Sequence, residues 1–393
     1  MPKEEIEVLK KIECDDCGHF FDESDIEYIE SADKHLCEDC RSEYFYCDKC
    51  GEFLHEDNMR FIDNGAYCDD CFDEKFGTCD CCNEYVNRDS LIETIDGSYI
   101  CESCYNNEYN TCSVCDGVMS CEDAIWYGDE CYCENCYNEM LENLGIHKYR
   151  FSPCNFTFHN DETESSLRTN NPYVGIELEI QGWQRDDFCK KMKNEYGNED
   201  IFYMKEDGSL NDEEGVEIVS NPMTYKFIKD TNYFKDLFEK MKEYEMNDTN
   251  NCGLHFHIDR MFCNSDEYLA VIDYIVNHFS EYFAKIGGRD FNEYSDYCKR
   301  TPDKERWGKC NYSRYYAVNF ENSNTIELRF CKSTDNYLTF MNRVRMVFGI
   351  IYFAMRFKLK NLLTMSEASF IKKFDKVCKD NLGCVVIPIE DED

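Results

Sequence analysis

The sequence predicts an α+β domain built on a largely antiparallel sheet, preceded by four tandem small β-rich zinc modules. Three observations carry that reading. Eight Cys-x-x-Cys pairs lie between Cys14 and Cys136. Beyond residue 172 the chain alternates strand-like and helix-like segments. Within those apolar strands, ionisable side chains stand two residues apart.

The cysteine pairs begin at Cys14, Cys37, Cys47, Cys68, Cys79, Cys101, Cys112 and Cys133. Gaps of 17–19 residues alternate with gaps of 6 or 7, so the unit Cys-x2-Cys-x17–19-Cys-x2-Cys repeats every 32–33 residues. Two thiolates on one tight turn form a zinc knuckle, and two knuckles complete a tetrahedral shell. The expected ligands are Cys14, Cys17, Cys37 and Cys40; Cys47, Cys50, Cys68 and Cys71; Cys79, Cys82, Cys101 and Cys104; Cys112, Cys115, Cys133 and Cys136. The repeat favours pairing within each unit, with a cross-braced pairing of alternate knuckles as the other arrangement. Cys81, Cys121 and Cys131 fall outside the pattern and are bystanders.

Between knuckles, FIDNGAYC and LIETIDGSYIC alternate around a central turn and read as β-hairpins, and a short helix follows each second knuckle. This arrangement resembles treble-clef and LIM-like fingers. The modules span about 12–42, 45–76, 77–109 and 110–142, within an N-terminal region 1–145. Each is too small to fold on apolar burial alone, so zinc supplies stability. Disulfides are the rival use of cysteine, but adjacent Cys-x-x-Cys pairs suit them poorly. A four-thiolate shell has no open position, so these four Zn2+ sites are structural.

The chain of 393 residues carries a net charge of −39. Residues 1–150 hold 39 Asp and Glu against 11 Lys and Arg, or −28, leaving −11 for the rest. Each four-cysteine zinc site adds about −2. Such a field repels phosphate backbones and excludes nucleic acid as the partner; it favours a basic protein, a polyamine or a cationic peptide. No apolar run approaches the roughly 20 residues that span a bilayer, and MPKEEIEVLKKIECDD has no apolar signal-peptide core. A cytoplasmic protein with no membrane partner is the expectation. The composition, rich in Lys, Asn, Asp, Glu and Tyr with six prolines, points to an AT-rich genome, such as that of a phage or mobile element.

Residues 146–171 are polar and aperiodic and read as a linker, and 172–393 as the catalytic domain. Strands are predicted at Tyr173–Ile180, Glu214–Ser220, Cys252–Asp259, Tyr315–Phe320 and Thr325–Phe330. Helices are predicted at Asp186–Tyr196, Thr224–Tyr244, Ser265–Ile286, Leu338–Phe357 and Ser366–Lys379. Strand alternation puts Glu177 and Glu179 on one face, as it does His255 with His257 and Glu327 with Arg329; Glu217 adds a further acid. One Glu-x-Glu strand is usually a solvated face. Four strands carrying acids, histidines or an arginine inside apolar runs point instead to a metal-dependent active site. Carboxylates with an imidazole suit Mg2+ or Mn2+ holding nucleotide phosphates, and Arg314 and Arg329 can offset phosphate charge. No Walker or kinase glycine-rich loop is present.

The ordered motifs GIELEI, DGSL, EIVSNP, CGLHFHID, RYYAVNF and TIELRF resemble the amidoligase family. That family belongs to the carboxylate–amine ligase superfamily of glutamine synthetase and γ-glutamylcysteine ligase. The resemblance covers about residues 172–335 and implies a glutamine synthetase-like antiparallel sheet. It implies that Glu177, Glu179, Glu217, His255 and Glu327 hold two or three Mg2+ ions. It also implies that His257, Arg314 and Arg329 face ATP phosphates, and that Arg289 and Arg329 act on the substrate. Asp207 matches a loop acid serving as metal ligand, amine holder or base; its simpler reading is a turn residue. The implied activity is ATP-dependent amide formation through an acyl phosphate, joining a carboxylate to a small amine or amino acid, with the zinc modules recruiting a basic protein or peptide. The alternatives are a phosphotransferase like the guanidino kinases, which share the sheet, and a non-catalytic zinc-finger adaptor.

Overall fold

The computed structural model describes residues 10–160, 171–211, 213–249, 251–260, 262, 265–291, 298–301 and 315–388. Arg314 lies outside them. The chain divides into two compact units. One runs to Trp126 and takes in Glu130–Glu134; the other takes Tyr127–Asp129 and the chain from Asn135 onward. The division therefore falls within the expected fourth module, not after it.

In the N-terminal unit each first knuckle is the tip of a short antiparallel hairpin, which the spacing had not revealed. Lys11–Glu13 pairs Phe20–Asp22, Tyr44–Tyr46 pairs Phe53–His55, Phe76–Thr78 pairs Tyr85–Asn87 and Tyr109–Thr111 pairs Val118–Ser120. The residue after the knuckle's second cysteine is Gly18, Gly51, Asn83 or Asp116, with φ between 57° and 77°. Gly, Asn and Asp are the residues that enter this left-handed region at least cost. Their N–H groups donate to the carbonyls of Cys14, Cys47, Cys79 and Cys112 at 2.8–3.0 Å, closing the turn.

A second repeated device ties each knuckle to the hairpin that follows. Asp15, Asp48 and Asp80 accept the N–H of His35, Ala66 and Tyr99 on their carboxylates, and Ser113 accepts that of Cys131. Their own N–H groups donate back to the carbonyls of the same four residues. Those hairpins run into the second knuckles. Cys37, Cys68 and Cys101 are the N-caps of helices Glu38–Arg41, Asp69–Lys75 and Glu102–Glu108, and Glu134–Leu144 follows Cys133.

The C-terminal unit is a mixed α/β assembly. Its strands are β1 (Ile146–His147), β2 (Val174–Gln181), β3 (Phe202–Lys205), β4 (Gly215–Ser220), β5 (Gly253–Asp259), β6 (Val318–Asn319) and β7 (Thr325–Lys332). They form one sheet in the order β1-β3-β4-β2-β5-β7-β6. Among the described strands of this sheet, only the β1–β3 pairing is parallel. β1 lies in the segment read as linker, and β3 was not predicted. Both are too short to show alternation. The strand expected at Tyr315–Phe320 is reduced to β6.

The helices are α1 (Arg185–Tyr196), α2 (Tyr225–Asp230), α3 (Tyr233–Glu243), α4 (Asp266–His278), α5 (Ser280–Gly287), α6 (Tyr337–Arg356) and α7 (Glu367–Leu382). The helix expected over 224–244 breaks between α2 and α3. Thr231 Oγ1 donates to the Phe227 carbonyl, a local bond that competes with helix propagation. The helix expected over 265–286 bends at Phe279, between α4 and α5. α6 is 20 residues long and apolar enough by length and composition to cross a membrane, against the reading that no run approaches that length. However, 67% of its apolar window is buried inside the protein, as a core helix's is.

Alternation sorts the sheet. Val174, Ile176, Leu178 and Ile180 of β2, with Leu254, Phe256 and Ile258 of β5 and Ile326, Leu328 and Phe330 of β7, join one core with Phe283, Phe340, Phe348 and Phe374 from the helices. Burial of each such side chain contributes about 1.5–3 kcal/mol. The intervening residues of the same strands are therefore committed to the opposite face.

Candidate functional site

The sixteen expected cysteines form four groups, each drawn from one repeat: Cys14/17/37/40, Cys47/50/68/71, Cys79/82/101/104 and Cys112/115/133/136. Cys81, Cys121 and Cys131 stay outside them. Tetrahedral zinc with Zn–S near 2.3 Å requires sulfurs about 3.8 Å apart. Cys17–Cys37 are 3.9 Å apart, Cys50–Cys68 3.8 Å, Cys79–Cys104 3.8 Å, Cys82–Cys101 4.0 Å and Cys115–Cys133 3.8 Å. Burial pushes the first thiol of each group up, but backbone N–H groups outweigh it and bring Cys14, Cys47, Cys79 and Cys112 down to about 6. Four closed sites able to bind four zinc ions follow.

The second cluster stands on the polar face of the seven-stranded sheet. Register builds it: Glu177 lies opposite His255, Glu179 opposite Glu217, His257 opposite Glu327 and Asn319 opposite Glu327. His255 Nδ1 is 3.6 Å from Glu177, 3.7 Å from Glu179 and 3.9 Å from Glu327. His257 Nε2 is 3.1 Å from Glu177 Oε2. Glu179 accepts the N–H of Gly253. A Cβ on Gly253 would come within 2.5 Å of His255 Nε2, so only glycine leaves room for that histidine.

Glu177, His257 and Glu327 each offer a ligand atom within 4.8 Å of the others. The resemblance assigned the metal to His255 and the phosphates to His257; in the structure His257 completes this group. Its Nδ1 pairs with Thr325 Oγ1 at 3.2 Å, which leaves Nε2 facing the acids. Nε2 is buried and, despite its closeness to Glu177, is out of line for a hydrogen bond. A ring with one nitrogen held by a neighbouring hydroxyl and the other turned toward carboxylates is the arrangement of a histidine that can ligate a metal. The donor set of two carboxylates and one imidazole fits a Mg2+- or Mn2+-type ion.

Electrostatics point the same way. Burial alone would push Glu177 up, yet His257 and His255 beside it hold it well below the usual carboxylate range. Burial also opposes the charge on Glu327, and His257 and Arg329 lower it. The carboxylates reverse the effect of burial on His257 and raise it to about 9. Burial and the neighbouring Glu177 push Glu217 well above its ordinary value, although Lys205 Nζ is 3.0 Å away. Burial works against the Lys205 ammonium, and Glu217 and Glu177 hold it charged beyond the usual range. Four glutamates crowded onto one face lack enough cations to balance them.

A cavity of about 640 Å3 opens over this cluster, the size of a small-molecule site. Glu177, Glu179, Glu217, His255, His257, Glu327 and Arg329 all line it, with Asp207 and Arg289. Arg329 is ion-paired with Glu327, and Arg289 donates to the Cys252 carbonyl at 3.0 Å. Asp207 accepts the Ser209 N–H at 2.8 Å, so it is a turn residue and a cavity residue at once. Several lining or supporting residues escaped the sequence reading. Lys205 sits on the unpredicted β3, Asn319 donates to Glu327 Oε2 at 2.8 Å, and Thr325 orients His257. The motif TIELRF contained Thr325 two residues before Glu327, a spacing that marks a shared face.

A second cavity of about 490 Å3 shares Glu177, Lys205 and His257 with the first and adds Phe151, Phe156, Phe158 and Tyr203. Compared with known proteins, the chain matches no family model and no curated sequence.

Proposed function

We propose that the C-terminal unit is an ATP- and divalent-metal-dependent carboxylate–amine ligase on a glutamine synthetase-like sheet. The single observation that carries this reading is the group Glu177, His257 and Glu327 beneath a cavity that also presents arginines and acids. Those three residues would hold the metal, which when bound neutralises phosphoryl charge. The aromatic cavity beside it offers Phe151, Phe156 and Tyr203 for a nucleobase to lie against, within reach of His257. Arg289 and Arg329 would orient the substrate carboxylate and offset negative charge.

The carboxylate oxygen attacks the γ-phosphorus, the bond to the ADP oxygen breaks, and an acyl phosphate forms. The ammonium first gives up one proton, the freed amine nitrogen attacks the acyl carbon, the bond from that carbon to the phosphate oxygen breaks, and inorganic phosphate leaves with the second nitrogen proton. Asp207 and Glu321 at the cavity wall would hold the cationic amine, with Asp207 as proton acceptor.

The zinc modules would recruit a basic protein or peptide. Besides the charge of residues 1–150, Tyr28, Phe61 and Trp126 occupy the same position in their repeats, 14 residues after the first cysteine, and are 51%, 52% and 55% exposed. In the third module Glu93 holds that position and Tyr99, 45% exposed, lies directly across from it. An exposed ring among carboxylates suits a Lys or Arg side chain. Product analysis tests the ligase. ADP, phosphate and an acceptor condensed with loss of water are expected; ADP with a phosphorylated acceptor would refute amide formation in favour of a phosphotransferase.

A further inference from the structure

Lys205 stands where an acidic metal centre would otherwise accept another cation. It ends β3, directly opposite Glu217 of β4, and Glu217 lies directly opposite Glu179 of β2. The three side chains thus form one cross-strand row on the polar face, set by backbone register. Lys205 Nζ lies 3.0 Å from Glu217 Oε2 and 3.9 Å from Glu177 Oε1, and its side chain is only 15% exposed. Glu177 therefore divides its oxygens: Oε1 faces the lysine and Oε2 faces His257 at 3.1 Å.

Geometry limits the number of ions. The Lys205 ammonium lies between Glu217 and Glu177, where a second cation would have to sit. The group with converging ligand atoms, Glu177, His257 and Glu327, has room for one ion, and Glu217 is absent from it. We infer that the Lys205 ammonium replaces a second metal ion, so that this site binds one divalent cation where the resemblance implies two or three. The inference rests on the metal-binding part of the proposed function and not on amide formation.

The test is a Mn2+ titration of the full-length, zinc-loaded protein followed by electron paramagnetic resonance. Zn2+ has a filled d shell and gives no signal. Wild type and Lys205→Arg are expected to bind one tight Mn2+ per chain. Lys205→Met is expected to bind two, and Lys205→Met combined with Glu217→Gln to return to one. Two or more tight ions in wild type would overturn the inference, as would a single ion in a folded Lys205→Met protein. Should Lys205→Met lose its zinc or its circular dichroism spectrum, Glu217→Gln decides. Retention of the one ion supports the inference, and loss of that ion overturns it. No tight Mn2+ in wild type removes the metal site altogether, whereas failure to find an amide product leaves the ion count standing.

Discussion

Replacing Thr325 with valine isolates how the site orients its histidine. The substitution removes one hydroxyl and retains the side chain's shape. Val is a good strand former, so β7 keeps its propensity. The backbone contacts of residue 325 also survive: its N–H donates to Asn322 Oδ1 at 3.3 Å and its carbonyl accepts Arg260 Nε at 3.1 Å. What is lost is the 3.2 Å partner of His257 Nδ1. Loss of a hydrogen-bond partner on the far nitrogen of a ligating histidine weakens metal binding by about 10–100-fold. That corresponds to about 1.4–2.7 kcal/mol. The assay is a Mn2+ titration of zinc-loaded wild type and variant at one pH. Thr325→Val binding Mn2+ within twofold of wild type would refute the claim that Thr325 fixes the tautomer of a ligating His257.

Four further outcomes are expected. Glu177→Ala and Glu327→Ala each abolish ATP turnover while zinc content stays near four per chain, the number of cysteine groups; wild-type turnover in both would reject the site assignment. In the Mn2+-free protein His257 is raised to about 9 from an ordinary 6.5, so its stabilising contribution is complete below 6.5 and lost as pH climbs through 9. The melting temperature should fall across that window as the stabilisation by added Mn2+ grows, because the proton and the ion compete; a flat profile would contradict it. Chelation of zinc should unfold the N-terminal modules before the seven-stranded unit, which circular dichroism and tryptophan fluorescence can follow; simultaneous loss of both would show one cooperative structure. The combined Tyr28→Ser, Phe61→Ser, Tyr99→Ser and Trp126→Ser variant leaves net charge unchanged and should weaken binding of a lysine-rich peptide at least tenfold by fluorescence anisotropy; unchanged binding would assign recognition to charge alone.

The sequence alone determined the zinc arithmetic, because ligands on a tight turn must recur at fixed spacing and a module with so few apolar residues has no other way to fold. It also determined which side chains share the polar face. A two-residue period is a property of any strand, so Glu177 with Glu179, His255 with His257 and Glu327 with Arg329 were readable before any pairing was known. Tertiary structure decided what period cannot encode. The pairing of β3 with β4 brings Lys205 to Glu217, 12 residues away, and a four-residue strand carries too little pattern to announce itself. The bond from Thr325 to His257, 68 residues apart, together with cross-strand register, places His257 with Glu177 and Glu327 in a group that could hold a metal ion. Composition and local spacing report what one segment prefers, whereas this site depends on which distant segments are placed side by side.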